Sequence, residues 1–491
     1  MNQTEEQEAI VRHCIKRGEL VKINAFAGTG KTSTLEMVAR ANKHIRFLYL
    51  AFNKPVQKEA EERFPKNVTC KTNHGLAFRG FGSQVKGRLV SSLKAKTVMD
   101  AYHMKDYWYA NYTIQTFQNY LISADLKIQK DHIPHEVEFY YKRELKSESE
   151  AAKMINKIIE SADQLLHDMY YGGNPAIGCL HDCYLKFYAL SEPDLSYYDV
   201  VLLDEAQDTN PVMKGIIFNQ KNKNVTKIVC GDSHQQIYTW RGAVDFLKKL
   251  EGVQYNLTCS FRFDNDIARL ANMILAIFKN ESLKLKGMRD NSNKEDFNGS
   301  KYTYISRTNA EIFKTAASLY QHKAIGFLGG IHGYRFQDIL DVYNLKQGRS
   351  ENIINPFIRN FESFVHLEGY ADSVKDFQIL STCSVVKNYD NAIPSLVEKI
   401  RTAAVPETDA EILFTTAHKA KGSQWDNVYM AADDFPEIVK NGKIINPDSL
   451  PAEEFNLYYV AVTRAKKNLR FPANSSFGQF IKLAEKEKEC K

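Results

Sequence analysis

The sequence predicts an α/β protein with two parallel-sheet domains, each interrupted by a mainly helical insertion. An apolar strand runs through a glycine-rich turn into a helix in "LVKINAFAGTGKT" (20–32). Two further apolar strands with acidic ends, "VVLLDEAQD" (200–208) and "KIVCGDSHQQ" (227–236), alternate with helical stretches, as is typical of parallel sheets. At 491 residues the chain is also too long for one ordinary core, so two or more domains are expected.

The glycine-rich turn has the chemistry of a phosphate loop, which places the chain among the P-loop NTPases. Gly28 and Gly30 let backbone N–H groups converge on a phosphate at the start of a helix. Lys31 supplies positive charge to the β- and γ-phosphates, and the Thr32 hydroxyl supplies a ligand for Mg²⁺. The first position of the strict pattern is Ala25 instead of glycine. The residues expected to bind the nucleotide here are Ala27, Gly28, Thr29, Gly30, Lys31, Thr32 and Ser33.

A pair of carboxylates follows the strand "VVLL". Asp204 and Glu205 lie at the carboxyl end of that strand, where ligands collect in α/β sheets. Asp204 is expected to hold Mg²⁺ together with Thr32, and Glu205 to take a proton from the attacking water. ATP and Mg²⁺ are therefore the expected cofactors.

The helical insertions follow from changes in pattern along the chain. Stretches such as "YHMKDYWYANYTIQTFQNYL" look helical and lack glycine turns. We expect their aromatic residues to form a packed helical core in preference to a binding surface. The predicted segments are 1–79 with 191–262 (first domain), 80–190 (its insertion), 263–310 with 405–491 (second domain) and 311–404 (its compact insertion).

Composition excludes several classes of protein. No apolar run approaches membrane-spanning length, and the polar start of the chain shows no signal peptide. Eight cysteines without a framework fit a reducing compartment, so we expect a cytoplasmic location, or a nuclear one in a eukaryote. "CLHDC" (179–183) has no second ligand pair at a suitable spacing, so no zinc site is predicted. The net charge of +6 permits a nucleic-acid groove without indicating one.

Further motifs give the chain a family resemblance. "GDSHQQIYTWRGA", "LTCSFRF", "TTAHKAKGSQW" and "YYVAVTRA" follow the phosphate loop in order. With them the chain resembles the UvrD/Rep-type helicases of superfamily 1 from Gln7 to about Leu469. Through "HDCYLKFYAL" and "GFLGGIHGYRFQDILDVYNL" it most resembles the helicase core of the F-box DNA helicases. No F-box sequence precedes Gln7, so ubiquitin-ligase recruitment is not expected.

The resemblance implies two RecA-like motor domains and assigns roles at the ATP site. Gln7 would read the adenine edge, Phe261 would stack on the adenine, and Gln235 would sense the γ-phosphate. Arg262 and Arg464 would be the two arginines that act on the γ-phosphate, with Arg464 supplied by the second motor domain.

The chain departs from the family in two places. Gln424 follows "KGS", which includes Gly422. At the position of Gln424 the family usually has a glutamate near the nucleotide sugar. An amide still forms hydrogen bonds, so we expect Gly422 and Gln424 to contact the nucleotide with altered affinity. The stretch between "ISRTNAE" and "TTAHKAKG" is short, which fits the compact F-box relatives, and the C-terminal tail is too short for a nuclease domain.

Single-stranded DNA is the track that the resemblance implies. Aromatic side chains can stack on any base, so movement need not depend on sequence. Arg241 would also link the DNA and ATP sites. The residues expected along the DNA are Phe52, Asn53, Thr72, His74, Tyr238, Trp240, Arg241, Thr416 and His418.

The function expected from these motifs is ATP-dependent unwinding of DNA with 3′ to 5′ movement, the polarity that "IYTWRGA" indicates in this family. The chain would act as a monomer on single-stranded and tailed duplex DNA, in repair, recombination or replication. Recombinases or single-strand-binding proteins are the candidate protein partners, and no membrane partner is expected. Two alternatives stay open: a translocase that strips such proteins with little unwinding, and a nucleic-acid-binding scaffold with a silent ATPase. The intact Lys31, Glu205, Gln235, Arg262 and Arg464 argue against the scaffold. An RNA track also stays open, because stacking contacts are not specific for deoxyribose.

Overall fold

A computed structural model of the chain forms two compact units. The first comprises Met1–Ala25 and Gly30–Leu257, and the second comprises Phe26–Thr29 and Thr258–Lys491. The boundary after Leu257 lies slightly before the one expected at 262. The structure describes residues 3–51, 53–134, 137, 141, 147–239, 242, 246–290, 297, 301–373 and 376–489, of which 487–489 by backbone alone.

The first unit is built on a six-stranded sheet in which every neighbouring pair of strands is parallel. Its strand order is β3-β2-β6-β7-β1-β8, and β4 and β5 form a separate short pair. The strands "FLYLA" and "VVLL" are buried at every position, as expected when helices cover both faces of a parallel sheet. The described strands are β1 (Leu20–Ala25), β2 (Phe47–Ala51), β3 (Val68–Thr72), β4 (Leu89–Val90), β5 (Cys179–Leu180), β6 (Val200–Leu203), β7 (Thr226–Gly231) and β8 (Val253–Leu257).

The helices of the first unit include a helical stretch between β3 and β6. Within "YHMKDYWYANYTIQTFQNYL", Tyr112, Phe117 and Tyr120 are buried, which agrees with the expected packed core. The described helices are α1 (Glu5–Val11), α2 (Lys31–Ala41), α3 (Lys54–Arg63), α4 (Asn73–Phe78), α5 (Ala95–Tyr102), α6 (Tyr107–Ile122), α7 (Glu148–Tyr171), α8 (His181–Leu190) and α9 (Pro211–Phe218).

The second unit contains a five-stranded parallel sheet of order β12-β13-β11-β14-β17. Strand β12 belongs to this sheet although it lies within the stretch 311–404 that the sequence assigns to an insertion. The described strands are β9 (Cys259–Ser260), β10 (Lys286–Gly287), β11 (Tyr302–Ser306), β12 (Ile325–Phe327), β13 (Ile412–Thr416), β14 (Trp425–Met430), β15 (Val439–Lys440), β16 (Lys443–Ile444) and β17 (Ala465–Arg470).

The second unit also combines helices with a parallel sheet, so both units have the α/β class that the sequence predicts. Among the described residues, no helix has both the length and the apolar character needed to cross a membrane. The described helices are α10 (Asn265–Lys279), α11 (Asn309–Leu319), α12 (Phe336–Lys346), α13 (Pro356–Arg359), α14 (Phe364–Ser373), α15 (Phe377–Tyr389), α16 (Ile393–Ala403), α17 (Ala417–Ala420), α18 (Ala452–Val462) and α19 (Ser476–Glu489).

Candidate functional site

The phosphate loop connects β1 to α2 through two left-handed glycines. Gly28 has φ +75° and Gly30 has φ +80°, a region that side chains with a Cβ rarely adopt. Gly30 caps α2 without a side-chain hydrogen bond, so no side chain of the cap occupies the first N–H groups of the helix. This is the backbone geometry expected of an anion site at a helix start.

The middle of the loop makes hydrogen bonds within the second unit. The Ala27 N–H donates to the Tyr459 hydroxyl at 2.9 Å, and the Gly28 carbonyl accepts from the Phe261 N–H at 2.9 Å. Thr29 is buried, and its hydroxyl donates to the Phe26 carbonyl at 2.9 Å. The Ala27 amide therefore has a protein acceptor in this structure, and Tyr459 is a contact that the sequence did not single out.

Lys31 and Glu205 form an ion pair in the first unit, with Nζ and Oε1 3.5 Å apart. Burial alone would lower the pKa of Lys31, but the negative charges of Glu205, Asp232 and Asp204 outweigh it and raise that pKa. Glu205 follows β6 with φ +49°, a left-handed backbone for a residue other than glycine. That turn directs a one-third-exposed carboxylate toward the lysine.

Asp204 is buried and holds the oxygen atoms expected for a metal site. Its Oδ2 accepts from the Thr32 hydroxyl at 2.6 Å and from the Tyr49 hydroxyl at 2.9 Å. Burial, and then the charge of Glu205, raise the pKa of Asp204. Sequence analysis did not identify Tyr49 as a site residue, because a tyrosine within an apolar strand resembles any core residue.

These oxygen donors fit Mg²⁺. The described part of the chain holds no group of three His, Cys, Asp or Glu side chains placed to hold a metal ion. Mg²⁺ does not require such a group, since it is usually bound through one or two carboxylates plus phosphate oxygens and water. Thr32 and Asp204 are the residues that would hold it.

Gln207 connects the carboxylate of Glu205 to the segment after β7, and no sequence motif singles out this glutamine. Gln207 is fully buried; its Nε2 donates to Glu205 Oε2 at 2.5 Å, and its Oε1 accepts from the Asp232 N–H at 2.9 Å. The carboxylate of Asp232 in turn accepts from Nε2 of Gln235 at 2.6 Å. Hydrogen bonds through Gln207 and Asp232 therefore link Glu205 to Gln235, the residue expected to sense the γ-phosphate.

Two other residues expected at the nucleotide have protein partners. Gln7 is buried, its Oε1 accepts from the Thr4 N–H at 3.2 Å, and its Nε2 donates to the Thr34 hydroxyl at 3.1 Å. Ser33 accepts a hydrogen bond from Arg63 at 3.0 Å. Gln7 serves here as part of the capping box of α1, so its reading of the adenine edge stays a prediction.

The second unit brings Arg262 and Gln424 together. Arg262 Nε donates to Gln424 Oε1 at 2.7 Å, and another guanidinium nitrogen donates to the Thr463 carbonyl at 2.9 Å. Gln424 is exposed, and Gly422 before it has φ +87° with open space around its Cα. Phe261, beside Arg262, is half-buried.

Arg464 is deeply buried in the second unit. It is only 1% exposed, and its guanidinium donates to the carbonyls of Val460 at 3.0 Å and Ser423 at 3.2 Å. A further bond reaches the Thr463 hydroxyl at 3.2 Å. These contacts give Arg464 a structural role that sequence reasoning did not foresee, beside its expected action on the γ-phosphate.

Three of the residues expected along the DNA, namely Phe52, Trp240 and Arg241, lie outside the described residues. Tyr238 is half-buried. His74 Nε2 lies 2.9 Å from Asp182 Oδ1, and both side chains are almost half exposed. Asn53 and Thr72 cap α3 and α4 through their side-chain oxygens.

The last two residues expected along the DNA are Thr416, which ends β13, and His418, which lies in α17. Thr416 caps α17 by accepting from the Lys419 N–H at 3.4 Å. Burial lowers the pKa of His418 to about 4, and the positive charges of Arg307 and Lys421 act in the same direction. His418 is therefore a neutral hydrogen-bonding group at pH 7.

Comparison with known proteins agrees with this geometry. Residues 3–251 match the family model described as "UvrD/REP helicase N-terminal domain", and residues 215–476 match that described as "UvrD-like helicase C-terminal domain". The chain is 36% identical over 503 residues to the Gallus gallus protein named "F-box DNA helicase 1", which covers 95% of this chain and 48% of that protein.

More distant relatives carry similar names. The Schizosaccharomyces pombe protein named "F-box DNA helicase protein 1" is 31% identical over 519 residues, covering 95% of this chain and 57% of that protein. The Mycoplasma genitalium protein named "Probable DNA helicase II homolog" is 26% identical over 285 residues, covering 51% of this chain and 39% of that protein. The chain thus spans about half the length of the two F-box relatives.

Proposed function

The chain belongs to the UvrD/REP-like helicase family, and on this premise we propose that it is an ATP-dependent DNA helicase. It moves 3′ to 5′ along single-stranded DNA and unwinds duplex DNA ahead of it. Relatives named as DNA helicases support DNA as the track. The polarity rests on the motif "IYTWRGA".

One observation carries the ATPase part of the proposal. Strand β7 lies between β6 and β1 in one sheet. Lys31 and Thr32 follow the carboxyl end of β1, and Asp204 and Glu205 follow that of β6. Gln235 lies just after β7. Ligands of parallel α/β sheets bind at this edge. The ion pair of Lys31 with Glu205 and the hydrogen bond of Thr32 with Asp204 support the proposal, because each joins a residue of the loop to one of the carboxylates.

Each of these residues has a chemical task. Lys31 and the backbone N–H groups of the loop bind the phosphates, and Glu205 accepts the proton of the attacking water at its carboxylate oxygens. Mg²⁺, held by Thr32 and Asp204, would neutralise charge on the phosphate oxygens. The side-chain amide of Gln207 orients Glu205 and also accepts a hydrogen bond from the backbone N–H of Asp232. The side chain of Asp232 in turn holds Gln235.

Arg262 and Arg464 would supply positive charge to the transferring phosphoryl group, where hydrolysis needs it most. Arginines in this role accelerate related reactions by about 10³ to 10⁵. Support for the assignment comes from their positions in "CSFRF" and "AVTRA".

The cellular task follows from the same proposal. A helicase of this kind acts inside the cell on single-stranded and tailed duplex DNA during repair, recombination or replication. Recombinases and single-strand-binding proteins coat such DNA and are the proteins that a moving motor would displace. The motor acts as a monomer.

The test is ATP turnover with and without single-stranded DNA, measured beside unwinding of 3′-tailed, 5′-tailed and blunt duplexes. We expect turnover to be stimulated by single-stranded DNA and unwinding to require a 3′ tail. Lys31→Ala should abolish both, whereas Lys43→Ala should change neither, because Lys43 is exposed and lies two residues beyond the C-terminal end of α2.

Other results would change the assignment. Unwinding of 5′-tailed duplexes alone would reverse the polarity, and stronger stimulation by single-stranded RNA would change the track. DNA-stimulated turnover without unwinding would favour a translocase that displaces proteins. A parent protein without ATP turnover under any of these conditions would overturn the proposal.

A further inference from the structure

We infer that Tyr49 is a positioning residue for the metal-binding carboxylate of Asp204, an inference that rests on the proposed ATP- and Mg²⁺-dependent function. Nothing in the phosphate-loop or carboxylate motifs points to this tyrosine. Its role follows from the contacts of its hydroxyl group with the site, and from the way in which strand β2 presents that group.

The position of Tyr49 follows from strand geometry. Side chains alternate along β2, so Leu48 and Leu50 face one apolar cluster of the first unit while Phe47 and Tyr49 face the other. Strand β2 pairs in parallel with β6, and Tyr49 is opposite Leu202 in the register. Asp204 follows β6 directly, which brings its carboxylate within reach of the tyrosine hydroxyl.

The ring and the hydroxyl of Tyr49 have separate partners. The side chain is fully buried, and its ring lies 4.7 Å from the ring of Phe64, measured between centroids. The hydroxyl donates to Oδ2 of Asp204 at 2.9 Å. Any buried tyrosine hydroxyl needs an acceptor, and here the acceptor is the carboxylate that is expected to hold the metal.

Three donors orient the Asp204 carboxylate. Oδ2 accepts from Tyr49 and from the Thr32 hydroxyl, and Oδ1 accepts from the Glu205 N–H at 2.9 Å. The three donors come from β2, from the first turn of α2 and from the backbone beyond β6. Together they fix the plane of the carboxylate.

Tyr49 differs from Thr32 in one respect that matters for metal binding. The Thr32 hydroxyl is itself an expected Mg²⁺ ligand, so its geometry must serve both the ion and the carboxylate. Tyr49 is buried in β2 and is not an expected metal ligand, so its hydroxyl, which interacts with Thr32 as well as with Asp204, acts only on the residues that would hold the ion. Hydrogen-bond partners behind a metal ligand orient it before the ion arrives, and their loss typically weakens metal binding or activity by about 10- to 100-fold.

Tyr49→Phe isolates the hydroxyl, because phenylalanine keeps the ring contact with Phe64 and nearly the same volume. The matched control is Tyr120→Phe, which removes a buried hydroxyl of the same unit that donates to the Leu126 carbonyl at 3.2 Å, away from the ATP site. Both variants are made in the full chain, and thermal melting checks that each is folded.

The experiment measures how much divalent ion is needed for nucleotide binding. Binding of a non-hydrolysable ATP analogue is titrated with Mg²⁺, and free Mn²⁺ is followed by electron paramagnetic resonance in a parallel titration with the same analogue. We expect Tyr49→Phe to raise the metal concentration at half-saturation by about 10-fold or more. Analogue binding at saturating metal should stay within a few-fold of the parent, and Tyr120→Phe should leave the midpoint unchanged.

The outcomes separate the inference from the proposed function. If the parent binds the analogue with a metal-dependent midpoint that Tyr49→Phe does not move, the inference alone is overturned, even if the variant melts at a lower temperature. An equal shift in Tyr120→Phe would also overturn it, because the effect would then be general. A parent that binds no analogue at any metal concentration overturns the proposed function itself.

Discussion

Arg262 and Gln424 are hydrogen-bonded to each other at 2.7 Å although 162 positions separate them in the chain. The family resemblance assigns both to the nucleotide, one at the γ-phosphate and the other near the sugar. Because the Arg262 guanidinium is hydrogen-bonded to the Gln424 amide, a substitution at either position removes a partner of the other side chain. The two positions should nevertheless differ in which kinetic constant changes.

Arg262→Ala should lower kcat by about 10³-fold or more, because in the proposed mechanism it removes positive charge that acts in the transition state. The KM for ATP should change far less. Steady-state ATP turnover with saturating single-stranded DNA measures both constants, with the exposed Arg349→Ala as a control. An increase in KM at constant kcat would contradict the assignment.

Gln424→Ala should mainly change the KM for ATP, by about 2- to 10-fold, with kcat retained within a few-fold. The lost bond is a single hydrogen bond at an exposed side chain, worth about 0.5–1.5 kcal/mol. The same turnover assay measures this. A loss of kcat as large as that of Arg262→Ala would show that Gln424 positions the arginine for catalysis.

Arg464→Ala should destabilise the protein as well as slow turnover. Its removal takes a donor from the carbonyls of Val460 and Ser423, although Val460 keeps the Thr463 hydroxyl as a donor at 3.2 Å, at a cost of roughly 1–3 kcal/mol. Thermal melting of the variant beside Arg262→Ala tests this, since only Arg464→Ala should melt clearly below the parent. Equal melting temperatures would show that the buried contacts of Arg464 add little to stability.

Gln207→Ala should lower kcat by about 100-fold while ATP binding persists, because Glu205 loses the group that orients it. The control is Gln220→Ala, since Gln220 is equally buried and bonds to backbone groups away from the site. Both variants should lose stability, so the comparison is made on folded protein with binding and turnover measured together. Full turnover in Gln207→Ala would remove it from the mechanism.

His418 should make the second unit less stable below neutral pH. Its pKa is lowered to about 4 in the folded chain, below the ordinary value of 6.5. The unfolded chain therefore binds the proton first, and stability is lost as the pH falls from about 6.5 toward 4, by no more than ~3 kcal/mol. His418→Gln should flatten the fall in melting temperature between pH 7 and pH 5, and the exposed His322→Gln should not. An unchanged slope in His418→Gln would contradict the burial argument.

Local motifs made the phosphate loop and the carboxylates predictable. Lys31, Thr32, Asp204 and Glu205 are recognisable because their chemistry needs particular residues at fixed offsets from a strand end, and the structure brings them together. The expected family and its two RecA-like motor domains are likewise confirmed by the two family models, which together match residues 3–476.

Contacts that depend on tertiary register were not predictable. Tyr49 reaches Asp204 only because β2 and β6 are neighbours in a given register, and the strand sequence contains no sign of that pairing. The hydrogen bond between Gln207 and the Asp232 N–H likewise forms only because the segment after β7 lies against Gln207 in the interior. Gln7 shows the converse, since a motif assigned it to adenine while the local capping geometry of α1 engages its side chain.

At position 205 the residue types that the left-handed backbone favours differ from the residue that the proposed chemistry requires. At φ +49° the residues that the backbone accepts most readily are glycine, asparagine and aspartate, and a longer side chain carries a local strain. The proposed chemistry requires a glutamate there. A sequence redesigned for stability alone would therefore tend to replace this residue, and the chain would keep its fold while losing its catalytic base.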